Sequence, residues 1–260
     1  MNINLLYIVL LVQKMVKSNF TRPGVDAAVR LSKMVTQNST VWSDTLQNYE
    51  FCLEKKGSKV LVKLDEQCNQ ISKKWQEMDV PYCTFDDLIH IIEWKFKRGK
   101  PRPLWKLIRS NNNDTVMNAS TAAFKKMNDA DVKGAIDDLL VLRGVGIAAS
   151  SAILSLYRPD MVVFMDDEVI ECLYDGKREY TMKVFNQINS KCQTFSDILG
   201  NNWNPRNVGL TLWTAARLSV ANSNTSKPDP TTLDAKADKG EHFSNEEQAS
   251  IKRRRTSKMD

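Results

Sequence analysis

The chain has 260 residues, 42% hydrophobic and 26% charged, which is the balance of a folded globular protein with room for one large domain. Ten glycines and eight prolines exclude a collagen-like or wholly low-complexity chain. The net charge of +6, from 37 basic and 31 acidic residues, is concentrated: residues 91–110 carry seven cations against one carboxylate, Glu93, and so match the excess of the whole chain. A positive patch of that density points to a polyanion or an anionic surface.

In chain order, the apolar run Leu5–Val12 comes first. It is too short to span a bilayer, which needs about 20 apolar residues. It also lacks the cationic start and small-residue cleavage site of a secretory signal. We expect residues 1–20 to be a buried first helix or an extended start, with Met15 as a possible internal start. N-x-S/T sequons occur at Asn19, Asn38, Asn113, Asn118 and Asn224. Secretion is nonetheless not the expectation.

Residues 21–220 are expected to form a helical domain. Trp42, Leu46, Tyr49 and Leu53 fall on one helical face, and Leu61, Leu64, Cys68, Ile71 and Trp75 follow a 3-4 seam. Thr84 with Asp87 three residues on reads as a capping box before Phe85, Leu88, Ile89, Ile92 and Phe96. That helix should end near Gly99, ahead of Pro101 and Pro103. A short helix near Leu104–Arg109 follows, then one leading to Met127 and one carrying Val132, Ile136 and Leu139. Later helices should start near Asp166, Thr181 and Pro205. Nothing alternates as a strand for long, Met161–Met165 coming nearest. The fold class expected is all-α, with about nine helices.

From Ala221 the composition turns polar, and residues 221–260 are expected to be a disordered tail that buries too little apolar surface to offset its ordering entropy. Its run Lys252-Arg253-Arg254-Arg255 reads either as a nuclear import signal or as a solvated charge run.

Five cysteines without a C-x-x-C pair argue against a disulfide framework, a cysteine zinc site and an iron–sulfur cluster. Of two histidines, His242 falls in the expected tail and His90 inside a helical pattern, which argues against a histidine metal centre or a Ser–His–Asp triad.

Residues 139–152 carry the most information. An amphipathic helix runs into Leu142-Arg143-Gly144-Val145-Gly146, and a second helix rich in small residues (Ala148, Ala149, Ser151, Ala152) follows at once. Glycines there permit a tight turn and leave backbone N–H groups open to a phosphate at a helix N-terminus. The string resembles the helix-hairpin-helix motif of many DNA-binding proteins, placed here near residues 131–156. Twenty residues after Gly146 stands Met165-Asp166-x-x-Val169. The same spacing resembles the helix-hairpin-helix DNA glycosylases, in which the corresponding aspartate carries the chemistry. A wider set of residues, Glu93-Trp94-Lys95, Arg98-Gly99-Lys100, Arg102-Pro103, Phe164-Met165, Asp167-Glu168, Trp203, Pro205 and Leu212-Trp213, resembles an uncharacterised eukaryotic protein family related to those glycosylases. There the acid falls at Asp167.

The resemblance implies a two-lobed helical bundle that binds nucleic acid, most of all double-stranded DNA. It implies possible base excision by Asp166 or Asp167. The chain is expected to be a nuclear, or nuclear and cytoplasmic, monomer with no stable membrane span and no cofactor. The alternative is a module that keeps the fold and binding without the chemistry. Phosphate contacts are expected from Arg143, Gly144, Val145 and Gly146 and from Lys95, Lys97, Arg98, Lys100 and Arg102. In bifunctional members a lysine stands two residues after the second hairpin glycine; here that position is Ala148, so lysine-based lyase chemistry is not expected from it. Arg143 stands where the hairpin proline is usual.

Overall fold

The computed structural model describes residues 25–225, apart from 34, 36–38, 175–176 and 201. The N-terminal run, the basic run at 252–255, His242 and nearly all of the expected tail lie outside the described residues. Eleven helices occur among those described: α1 Val25–Lys33, α2 Ser39–Gln47, α3 Tyr49–Gln76, α4 Phe85–Arg98, α5 Trp105–Ile108, α6 Asn113–Asn128, α7 Val132–Leu139, α8 Ile147–Tyr157, α9 Asp167–Leu173, α10 Met182–Leu199 and α11 Pro205–Thr225. There is no strand among the described residues, and Val162–Met165 has no regular secondary structure. The class is all-α. The last helix runs past Ala221, so the segment expected to be tail begins inside α11.

Local chemistry sets the boundaries. Thr84 and Asp87 close a reciprocal capping box at the start of α4, with Asp87 N–H donating to Thr84 Oγ1 at 3.1 Å and Thr84 N–H to Asp87 Oδ2 at 3.0 Å. Gly99 ends α4 ahead of two prolines. Thr181 caps α10, Asp166 caps α9, and Pro205 is the first residue of α11. The face expected to run unbroken through Trp42 and Leu53 is interrupted at Asn48, which separates α2 from α3. α3 is itself kinked at Gly57-Ser58, where Ser58 has φ 60° and a Cβ on Gly57 would lie 2.7 Å from Leu61 Cβ.

The first and last described helices pack together: α11 lies against α1, α2, α3, α9 and α10. α3 also packs on α4 and α8, and α6 packs on α7. α8 sits at the centre, with every residue from Ala148 to Tyr157 buried. Its small side chains allow that approach, because helices lined with Ala and Ser can come close on several faces. One continuous apolar core contains Trp42, Trp75, Trp94 and Trp213, all within 1% of full burial. No described helix is long and apolar enough to cross a membrane.

Candidate nucleic-acid interface

The turn between α7 and α8 is held from outside. Arg143 N–H donates to Asn111 Oδ1 at 2.9 Å, and Asn111 Nδ2 donates back to the Arg143 carbonyl at 3.0 Å. Within the turn, Val145 N–H bonds the Leu142 carbonyl at 3.1 Å. The two glycines have different jobs. Gly144 has φ 80°, and an added Cβ would meet Ile108 Cδ1 at 2.8 Å. Gly146 is extended at φ −114°, and an added Cβ would touch nothing. Gly146 therefore needs no conformational freedom, and what its lack of a side chain keeps open is the space in front of α8. The N–H groups of Ala149 and Ser150 are already bonded to the Gly146 carbonyl at 2.8 and 2.9 Å, which leaves those of Ile147 and Ala148 to face that space. Val145 is buried, so only its backbone can face a ligand; Arg143 is exposed.

That space is one end of a cleft of about 410 Å³. α4 contributes Lys95 and Phe96, the proline-bounded loop after it Lys100 and Arg102, α8 Ala148, and the segment before α9 Phe164. Asp166, Asp167 and Tyr180 line it too. The fold thus gathers the hairpin glycines, three of the expected cations and both aspartates around one opening. Lys97 is exposed but does not line the cleft.

Arg98 is a correction. Expected as a phosphate contact, it is 1% exposed and cannot reach one. Its Nε donates to Asp166 Oδ2 at 2.6 Å and its Nη1 to the Tyr49 hydroxyl at 2.5 Å. Its guanidinium lies 4.1 Å from the Trp213 ring centre and within 6 Å of Tyr49, Trp94 and Phe164. Tyr49 passes its own proton towards Asp65 Oδ1 at 2.6 Å, where Trp94 Nε1 also donates at 2.8 Å. Burial opposes the charge on Arg98, but Tyr49, Asp166 and Asp65 outweigh it and raise the guanidinium above its ordinary pKa. The i, i+3 position of Arg98 after Lys95 gave no warning, since the cations of a helix's last turn usually face solvent.

The two aspartates are distinct. Asp166 is 4% exposed; besides Arg98 it accepts from the Asp167 N–H at 2.9 Å as the cap of α9. The side chain of Asp167 is 12% exposed, and accepts from the Tyr180 hydroxyl at 2.5 Å and from Arg178 Nη1 at 2.9 Å. Arg178 also reaches Glu171 at 3.0 Å. Burial and the bond to Asp167 raise the Tyr180 phenol above its usual range. Sequence reasoning missed Arg178, Tyr180, Asn111 and Asp65. None of the four belongs to a spacing pattern, because each acts on a residue brought to it by the fold.

Lys95 is partly buried, and burial lowers its ammonium below the ordinary lysine range, against the opposing pull of Asp166 and Asp167. No group of three or more His, Cys, Asp or Glu among the described residues is placed to hold a metal ion. The five cysteines are buried and unpaired.

No family model, curated protein or solved structure matches the chain.

Proposed function

We propose that the protein binds double-stranded DNA through the α7–α8 hairpin and the cationic loop after α4, and draws one nucleotide out of the duplex into the cleft for base excision. The observation that carries this reading is the convergence of Gly144, Gly146, Lys100, Arg102 and Asp167 on one cleft. Its size suits a single nucleotide, since small-molecule sites begin near 300 Å³. Phe96, Phe164 and Tyr180 supply aromatic surface for a flipped base. On this reading the hairpin amides and the cations hold phosphates, and Asp167, the more exposed carboxylate, opposes the positive charge that develops on the sugar as the base departs. Asp166, tied to Arg98 and capping α9, positions its neighbour.

One observation favours binding without chemistry. Each aspartate already has a guanidinium partner, Arg98 or Arg178, and a compensated carboxylate stabilises a nascent cation less. The experiment that separates the two readings incubates the protein with duplex oligonucleotides carrying uracil, alkylated, oxidised or mismatched bases, then treats them with alkali to reveal abasic sites. Base release lost in Asp167→Asn supports excision. Salt-sensitive binding with no release from any substrate leaves the binding module. Absence of binding to duplex DNA refutes both.

A further inference from the structure

Among the described residues two cations are buried, Arg98 and Arg206. Arg98 has its carboxylate, Asp166, at 2.6 Å. Arg206, in the first turn of α11, is 8% exposed and forms no ion pair with a described carboxylate. Its side chain makes two long hydrogen bonds to neutral acceptors, from Nη1 to Ser155 Oγ and from Nη2 to Asn69 Oδ1, both 3.4 Å. Two such bonds use only part of the guanidinium's donor set and repay little of the cost of burying its charge.

Arg206 lines a cavity of about 330 Å³ that shares no lining residue with the cleft. Leu53 and Val62, which lie on either side of the α3 kink at Gly57-Ser58, both face it, and α11 adds Leu210. Three carboxylates share the cavity with Arg206. Asp65 is buried and already accepts from the Tyr49 hydroxyl, Trp94 Nε1 and Asn69 Nδ2. Glu50 and Glu66 are exposed. Opposite charges thus line one cavity without meeting. A simple anion drawn to Arg206 meets the repulsion of three carboxylates, and a simple cation drawn to them leaves Arg206 uncompensated. A molecule carrying both a carboxylate and an ammonium answers both needs, because a guanidinium fork matches a carboxylate in two parallel bonds. The aliphatic surface of Leu53, Val62 and Leu210 suits an apolar side chain on the same molecule, and the volume stands at the small end of ligand sites.

We propose that this cavity binds a free α-amino acid with an aliphatic side chain, its carboxylate on Arg206 and its ammonium towards Glu50 and Glu66. The site is separate from the nucleic-acid reading and does not depend on it.

The test titrates the isotope-labelled full chain with L-leucine and follows its amide and indole N–H shifts. Two probes each lack one charge: L-leucinamide has no carboxylate, and N-acetyl-L-leucine has no ammonium. Saturable binding of L-leucine, with both probes weaker by about tenfold or more, is the result expected, since a lost charge-assisted hydrogen bond is worth about that factor. Arg206→Gln should weaken L-leucine to a similar degree, with thermal melting to check a variant altered in the core. The double variant Glu50→Gln, Glu66→Gln changes only exposed side chains and should also weaken L-leucine, which keeps the proposal testable even if Arg206→Gln does not fold. Absence of saturable shifts with L-leucine up to ~10 mM overturns the site. Equal binding of either probe overturns recognition by paired charges. Undiminished L-leucine binding in the double variant, or in folded Arg206→Gln, overturns the placement of the ligand in this cavity. None of these outcomes alters duplex binding, which is measured separately.

Discussion

Arg98 and Asp166 form a buried ion pair 2.6 Å long, with Asp166 in the wall of the cleft and Arg98 behind it. Removing one partner of such a pair leaves an uncompensated charge in the core, which costs about 3–5 kcal/mol. Asp166→Asn should therefore lower stability by that order in urea or thermal unfolding. Asp167→Asn, whose carboxylate meets solvent and a partly exposed arginine, should cost far less. If the protein excises bases, Asp167→Asn should reduce release by about 10²–10³. A small stability loss in Asp166→Asn would show that the pair is not the buried element described here.

The hairpin glycines make a matched pair of variants. Gly144→Ala forces a side chain into positive φ and against Ile108, and should destabilise by about 1–3 kcal/mol. Gly146→Ala meets no steric obstacle and should melt like the parent, within about 0.5 kcal/mol, yet bind DNA more weakly because the methyl group stands before the first amides of α8. Normal binding by folded Gly146→Ala would remove this turn from the interface.

Duplex affinity should fall as salt rises. Each phosphate contact contributes about 0.9 to the slope of log K against log salt. Lys100→Ala with Arg102→Ala should flatten that slope by about 2 if each cation meets one phosphate. An unchanged slope would place the phosphates elsewhere.

High pH should destabilise the fold. Burial raises Cys52 to about 11 and Cys172 to about 12, and pushes Cys68, Cys83 and Cys192 up as well. The Tyr49 phenol is raised by burial too. An acid with a higher pKa folded than unfolded holds its proton more tightly in the native state. Its contribution is complete below the unfolded value, near 9, and is lost as pH climbs through the folded one. Tm measured from pH 8 to 11 should drop, and thiol reagents should react with the five cysteines only as the protein unfolds. Rapid labelling of the native protein would contradict their burial.

The helices were largely legible because capping and apolar spacing are local. Thr84 with Asp87, Thr181, Pro205 and the Leu61–Trp75 seam each announced an element within a few residues. The basic segment holding Lys95 and Lys100 was legible from charge alone, and the glycine turn and Asp167 from resemblance, but their meeting in one cleft was not, because it is made by packing between distant helices. What could not be seen was which cation faces inward. Arg98 and Lys97 are neighbours of the same charge, and the difference between them is made by Trp213, Tyr49 and Asp166, each tens of residues away or more. The extra breaks at Asn48 and Gly57 also escaped, since an apolar face can continue across a kink.

The surround of Arg98 also governs how the protein folds. Its rings come from positions 49, 94, 164 and 213, so closing it requires contacts across most of the described chain. Loops of that length close at an entropic cost that grows with separation, and contacts of high sequence separation slow folding. A nascent chain that has not yet supplied Trp213 has a charged guanidinium with no lid. The cleft wall resting on Arg98 and Asp166 can therefore mature only after α11 has docked, and a chain shortened before Trp213 loses that wall together with its last helix.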